Sequence, residues 1–157
     1  MKILNKGFNY SQDGPGNRLV YHLQGCNFAC KWCSNADSIP KNNPKANDVS
    51  VAELFDEICR SRMMFFDGGG VTFTGGEATL QADELIELLK LLNANNISTC
   101  IETNGSSPRL TEIAQYVDYL IVDMKHFDDD EHKKWTGAPL ENVKHNIAAL
   151  LDSGRQM

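Results

Sequence analysis

No stretch of this chain is apolar for long enough to cross a bilayer, and its opening residues, MKILNKGFNYSQDG, lack the apolar core of a secretory leader. The expectation is a soluble cytoplasmic protein without a membrane partner. Basic charge is scarce too: 15 Lys and Arg stand against 21 Asp and Glu, a net charge of −6. That balance argues against nucleic acid as a principal partner, while leaving room for a small anion at a local site. Internal repeats and low-complexity tracts are missing as well. What is present is ordinary, with 41% hydrophobic and 23% charged residues, so a globular domain is expected. The 157 residues allow a single domain with a real core, spanning 1–157.

Apolar spacing divides the chain into alternating strands and helices. Residues 18–24 read as a first strand, and residues 42–48 (NNPKAND) as a loop. Ser50 and Glu53 then form a capping-box pair, starting a helix with Val51, Leu54, Phe55 and Ile58 on one face. A short strand over 71–74 runs into Gly75-Gly76, and an amphipathic helix over 81–93 follows through Leu85, Leu88, Leu89 and Leu92. Residues 97–103 give a strand, closed by an Asn104-Gly105 turn. Ser107-Pro108 supply the N-cap and first position of a helix that turns Leu110, Ile113 and Val117 inward. The apolar, β-branched run 119–124 predicts a strand buried on both faces. Asp128-Asp129-Asp130-Glu131 suit a helix N-terminus. A last helix over 140–153 has Val143, Ile147, Leu150 and Leu151 inward and Gly154 at its end.

Such alternation calls for an α/β fold with a parallel sheet. About four parallel strands cannot close a barrel, so the expected architecture is a partial (β/α) barrel with flanking helices. Another strand is due where the chain reaches Arg155-Gln156-Met157, so the barrel is expected to be incomplete on its C-terminal side. In folds of this kind, ligand groups collect at the carboxyl ends of strands. Here those ends carry Gly25-Cys26, Gly75-Gly76-Glu77, Glu102-Thr103-Asn104-Gly105 and Asp123-Met124-Lys125.

The five cysteines are unlike a disulfide framework, since three of them crowd into Cys26-x3-Cys30-x2-Cys33. Cys59 and Cys100 stand alone in apolar stretches and read as buried filler. Three thiolates on one loop suit zinc or an iron–sulfur cluster. A structural zinc site closes with four protein ligands. No fourth Cys or His lies nearby except His22, which sits within a strand. A [4Fe–4S] cube held by three cysteines keeps one iron open for a small molecule. The remaining histidines, His126, His132 and His145, fall in charged surroundings and read as solvated.

The cysteine motif, with Trp32 just before its third cysteine, resembles the radical S-adenosylmethionine (SAM) signature. Asp13-Gly14-Pro15-Gly16-Asn17-Arg18 and Leu23-Gln24-Gly25-Cys26-Asn27 resemble the opening segment of glycyl-radical-enzyme activases of the pyruvate formate-lyase activase type. Thr74-Gly75-Gly76-Glu77, Glu102-Thr103-Asn104-Gly105 and Asp123-Met124-Lys125 match further landmarks of that family in order, so the similarity spans essentially the whole chain.

The resemblance implies one [4Fe–4S] cluster on Cys26, Cys30 and Cys33, with SAM as cosubstrate. It implies that Trp32 flanks the adenine, and that Gly75 and Gly76 bind the methionine amino group with Glu77 nearby. Asp123 and Lys125 are then expected to contact the methionine moiety, and Glu102, Thr103 and Asp123 to form a monovalent-cation site. The implied activity is reductive cleavage of SAM to a 5′-deoxyadenosyl radical, which takes a hydrogen atom from a glycine of a partner enzyme. No side chain acts as general acid or base. The implied partners are a glycyl radical enzyme and a flavodoxin or ferredoxin-like electron donor. Ser34 stands where the family usually has histidine, and the absence of cysteines beyond Cys59 after the motif points to a single cluster. Competing readings are a radical SAM enzyme acting on a free metabolite, a non-catalytic iron–sulfur or zinc module, and an inactive fragment.

Overall fold

The computed structural model describes residues 1–154. Its strands are β1 (Lys2–Tyr10), β2 (Asn17–Leu23), β3 (Asn47–Asp48), β4 (Gly70–Gly75), β5 (Thr99–Thr103) and β6 (Tyr119–Val122). They form a six-stranded sheet in the order β3-β1-β2-β4-β5-β6. The helices are α1 (Val51–Arg60), α2 (Ala82–Ala94), α3 (Leu110–Ala114), α4 (Asp129–Thr136) and α5 (Glu141–Asp152). Strands β2, β4, β5 and β6 pair in parallel, in the register Leu23↔Gly75, Phe73↔Ile101 and Thr103↔Val122. Parallel neighbours need crossovers, and the helices supply them. The sheet is open, so the fold is the partial α/β barrel that the alternation implies. No described helix is long and apolar enough to cross a membrane.

The core lies between one face of the sheet and the helices. Leu19, Tyr21, Leu23, Val71, Phe73, Ile101 and Leu120 pack there with Leu54 and Ile58 of α1 and Leu85, Leu88, Leu89 and Leu92 of α2. Each fully buried leucine or isoleucine stabilises the fold by roughly 1.5–3 kcal/mol before entropy is counted. The capping box of α1 is formed: Ser50 Oγ accepts from the Glu53 N–H at 3.3 Å, and Glu53 Oε2 accepts from the Ser50 N–H at 2.9 Å. At α4, Asp128 accepts from the Glu131 N–H at 3.0 Å, so the acidic run begins a helix as expected.

Several elements differ from the sequence reading. Strand β1 has no counterpart in it, because only Ile3 of its nine residues is buried and no alternation marks it. Backbone pairing with β2, interrupted by a bulge between Ile3 and Asn5, holds β1 in place. Two residues of the expected loop, Asn47 and Asp48, pair with β1. Helix α3 starts at Leu110, two residues after Pro108, because Ser107-Pro108-Arg109 first makes a turn that accepts the Leu110 N–H at 3.1 Å.

Strand β6 is not buried on both faces. It lies at the edge of the sheet, with Tyr119 45% and Ile121 38% exposed. Composition marks its apolar face but not the number of its neighbours. Leu151 is exposed, since α5 turns Leu150 inward instead. The reading of an incomplete barrel at Arg155-Gln156-Met157 lies outside the described residues.

Cys59 is half-buried against the core, and Cys100 is fully buried on β5. Burial pushes the Cys100 thiol up from 9.0 to about 11. Below pH 9 the folded and unfolded chains both keep this proton. Between pH 9 and 11 the unfolded chain releases it first, so the stability contribution is lost as pH rises through that window. Unfolding free energies from denaturant titrations at pH 8 and 10.5 should therefore differ more for the wild type than for Cys100→Ala, by about 2 kcal/mol. Equal pH dependence of the two proteins would refute the assignment.

Candidate functional site

After β2 the chain turns through Gln24 and Gly25 into the cysteine loop. The Gly25 N–H donates to the Ser38 carbonyl at 2.7 Å and the Cys26 N–H to the Ile39 carbonyl at 3.0 Å. Further along, the Ala29 N–H reaches the Thr136 carbonyl at 2.7 Å and the Lys31 N–H the Trp135 carbonyl at 3.0 Å. The last turn of α4 thus grips the loop on both sides of Cys30. The Cys33 N–H closes a turn onto the Cys30 carbonyl at 3.1 Å. A segment with no regular structure is held by its backbone from two directions.

The three thiols line a cleft of about 200 Å³ at the carboxyl ends of the parallel strands. Trp32, Gly75, Gly76, Glu102, Thr103, Asp123 and Lys125 line the same cleft. Of the residues to which the family resemblance gave a cluster, SAM or cation role, all but Glu77 line it. Trp32 is half exposed and tilts against Trp135, with ring centroids 5.7 Å apart. Asp123 and Lys125 make an ion pair with each other at the end of β6.

Glu77 is placed elsewhere. Its side chain is buried and accepts from Thr103 Oγ1 at 2.7 Å, the Asn104 N–H at 2.7 Å, the Thr79 N–H at 3.1 Å and the Thr79 hydroxyl. The carboxylate ties the end of β4 to the end of β5. Its oxygens are engaged by protein donors, and it does not line the cleft.

The two glycines are needed for a reason internal to the sheet. A Cβ on Gly75, whose φ is +110°, would lie 2.4 Å from the Leu23 nitrogen. One on Gly76 would lie 2.2 Å from the Gly25 carbonyl oxygen and 2.8 Å from that of Ser38. β2, β4 and the cysteine loop converge too closely there for a side chain. Gly76→Ala should cost about 3 kcal/mol or more in a denaturant titration. Gly7→Ala, where nothing lies within 4 Å, is the control and should change stability by less than about 0.5 kcal/mol. Similar midpoints for both variants would contradict this packing argument.

Electrostatically the cleft is mixed. Burial pushes the Cys26 and Cys30 thiols up; the Phe28 N–H, 3.4 Å from Cys26 Sγ, opposes this at Cys26, and Lys125 opposes it at Cys30. Burial also raises the Glu102 carboxyl. The Thr74 hydroxyl at 2.7 Å lowers it again, while Asp13 and Asp123 push it upward.

Phe28, Thr74 and Asn104 also line the cleft, although the sequence assigned them no role in binding. Asn104 Nδ2 donates to Asn27 Oδ1 at 2.9 Å and approaches Cys26 Sγ at 4.0 Å, and Asn27 Nδ2 donates to Ser106 Oγ at 2.7 Å. Thr74 and Asn104 belong to the strand-end motifs, but nothing in a strand-end pattern tells a lining residue from a turn residue.

The donor set fits an iron–sulfur cube. Among the described residues no three His, Cys, Asp or Glu converge closely enough to hold one metal ion. A cube engages each thiolate at a different iron, so it calls for cysteines that line a cleft. Beside them, the side-chain-free edge at Gly75 and Gly76 and the polar groups of Asp123 and Lys125 suit the amino and carboxylate ends of an amino acid.

Comparison with known proteins agrees with this geometry. The family model of the radical SAM superfamily matches residues 20–156. The chain is 39% identical over 149 residues to the pyruvate formate-lyase-activating enzyme of Staphylococcus epidermidis, covering 89% of this chain and 59% of that protein. It is 41% identical over 145 residues to the enzyme of the same name from Clostridium pasteurianum, covering 90% and 60%. The chain therefore spans about three-fifths of the length of the curated relatives it matches. In fold it is similar to QueE from Escherichia coli, with a TM-score of 0.60 at 17% identity over 99% of this chain and 91% of that one. SuiB from Streptococcus suis, solved with its precursor peptide SuiA, gives a TM-score of 0.67 at 17% identity, covering 87% of this chain and 30% of that one.

Proposed function

The chain belongs to the radical SAM superfamily, and from that premise we propose that it activates a glycyl radical enzyme. The observation that carries the reading is the single cleft in which three cysteines meet the ends of the parallel strands. Cys26, Cys30 and Cys33 would hold one [4Fe–4S] cluster. When bound, the reduced cluster and SAM together supply homolytic cleavage of the bond from the sulfonium to the 5′ carbon, yielding methionine and a 5′-deoxyadenosyl radical.

The chain's own residues bind and orient. Gly75 and Gly76 present an edge of backbone to the methionine amino group, with Asp123 and Lys125 beside it. Trp32 offers an aromatic face to the adenine. Glu77 acts on this site from behind, by holding the β4 and β5 ends together. A monovalent cation beside Glu102, Thr103 and Asp123 belongs to the same proposal. Hydrogen-atom transfer needs no proton donor or acceptor, so no side chain has to titrate. A cytoplasmic setting and a flavodoxin or ferredoxin-like donor of electrons complete the reading.

The choice of pyruvate formate-lyase as the protein substrate rests on the likeness to the activating enzymes of S. epidermidis and C. pasteurianum. It is tested by mixing the anaerobically reconstituted chain with SAM, a strong reductant and purified pyruvate formate-lyase. A glycyl radical signal in electron paramagnetic resonance (EPR) that requires SAM is expected. SAM cleavage without that signal would point to a different substrate.

A further inference from the structure

The sequence reading placed His132 in solvent. In the structure it is fully buried, directly behind the cysteine loop. Its Nδ1 lies 2.8 Å from the Ala138 carbonyl, which can only accept, so this nitrogen carries the proton. The other ring nitrogen, Nε2, is buried with no hydrogen-bond partner among the described residues. A phenylalanine at this position would avoid leaving a polar atom unpaired in a dry interior, so the histidine calls for an explanation.

Three contacts connect His132 to the loop. Its ring meets Phe28 edge-to-face, with centroids 5.4 Å apart and planes at 84°. Phe28 is itself buried, lines the cleft between Cys26 and Cys30, and lies in the apolar cluster against which both cysteines pack. The Nδ1–H bond to Ala138 closes the turn after α4, where Thr136 Oγ1 also donates to the His132 carbonyl at 2.7 Å. That same turn carries the Thr136 and Trp135 carbonyls that accept from Ala29 and Lys31.

We propose that His132 is a positioning residue for the cysteine loop. Its Nδ1–H donor fixes the turn whose carbonyls hold the loop on both sides of Cys30. The imidazole is kept for that donor, and the unpaired Nε2 is the consequence of placing it there. The inference rests on the reading that Cys26, Cys30 and Cys33 carry a cluster, and deepens that reading by naming what aligns the ligands.

The test compares His132→Phe, which keeps a ring and loses the donor, with His132→Asn, which loses the ring and keeps a donor near Nδ1. Each reconstituted protein is challenged anaerobically with an iron chelator, and the EPR spectrum of its reduced cluster is recorded. His132→Phe should release iron about tenfold faster, in keeping with the usual effect of groups that orient metal ligands, and should show an altered spectrum. His132→Asn should stay near the wild type in both. Phe and wild type behaving alike would overturn the proposal. Equal damage in both variants would also overturn it, because the position would then only fill space. Should His132→Phe fail to fold, the Asn variant decides alone: a wild-type spectrum supports the donor role and an altered one refutes it. Wild-type protein that takes up no cluster would instead defeat the underlying reading.

Discussion

Replacing Cys30 with alanine is expected to leave the reconstituted chain far short of about four irons and to reduce 5′-deoxyadenosine formation to background. Cys30 is the middle cysteine of the loop, and the backbone bonds of its neighbours Ala29 and Lys31 to α4 do not involve its side chain. The loop should therefore keep its course while losing one donor, and two thiolates cannot retain a cube against solvent. Cys59→Ala and Cys100→Ala provide the contrast, since neither residue lines the cleft. Both should bind iron as the wild type does. Normal iron content and product formation in Cys30→Ala would show that the cluster is held in some other way.

Glu77→Ala should be the most destabilising substitution of a polar residue near the site. It would strand the Thr103 hydroxyl, the Asn104 N–H and the Thr79 N–H in a buried region, where a water entering the cavity replaces the carboxylate only in part. Each unpaired donor costs roughly 1–3 kcal/mol, and with partial relaxation a total near 4 kcal/mol is expected. Glu77→Gln should fall between, because its amide oxygen can serve some of these donors while its NH2 faces others. Denaturant midpoints of the apo proteins measure this without any ligand. Weakened SAM binding with unchanged stability would instead mean that Glu77 meets the ligand directly.

The sequence revealed the parallel part of the sheet because its strands end in recognisable turns and alternate with helices. It also pointed to nearly all of the cleft, since glycine pairs, cysteine spacing and strand-end acids are local signals. What local signals could not show has a common physical origin in contacts between distant segments. β1 is held by backbone pairing and carries no alternation. Glu77 sits in the same motif as Gly75 and Gly76, yet donors 26 and 27 residues away turn it inward. His132 lies in a charged helix, DDEHKKWT, where its neighbours suggest solvent. Only the docking of that helix beneath Phe28 buries it. The glycine pair is plain in the sequence, but the clashes that require it come from Leu23, Gly25 and Ser38 on other segments.

The proposed function requires the cysteines and the strand ends to form one site for a cluster and SAM together. The most direct test is anaerobic reconstitution with iron and sulfide, reduction, and EPR of the cluster before and after SAM is added, with 5′-deoxyadenosine and methionine quantified afterwards. The expected result is a spectrum that changes on SAM addition, followed by the two products in equal amounts. A cluster whose spectrum ignores SAM and which yields neither product would contradict it.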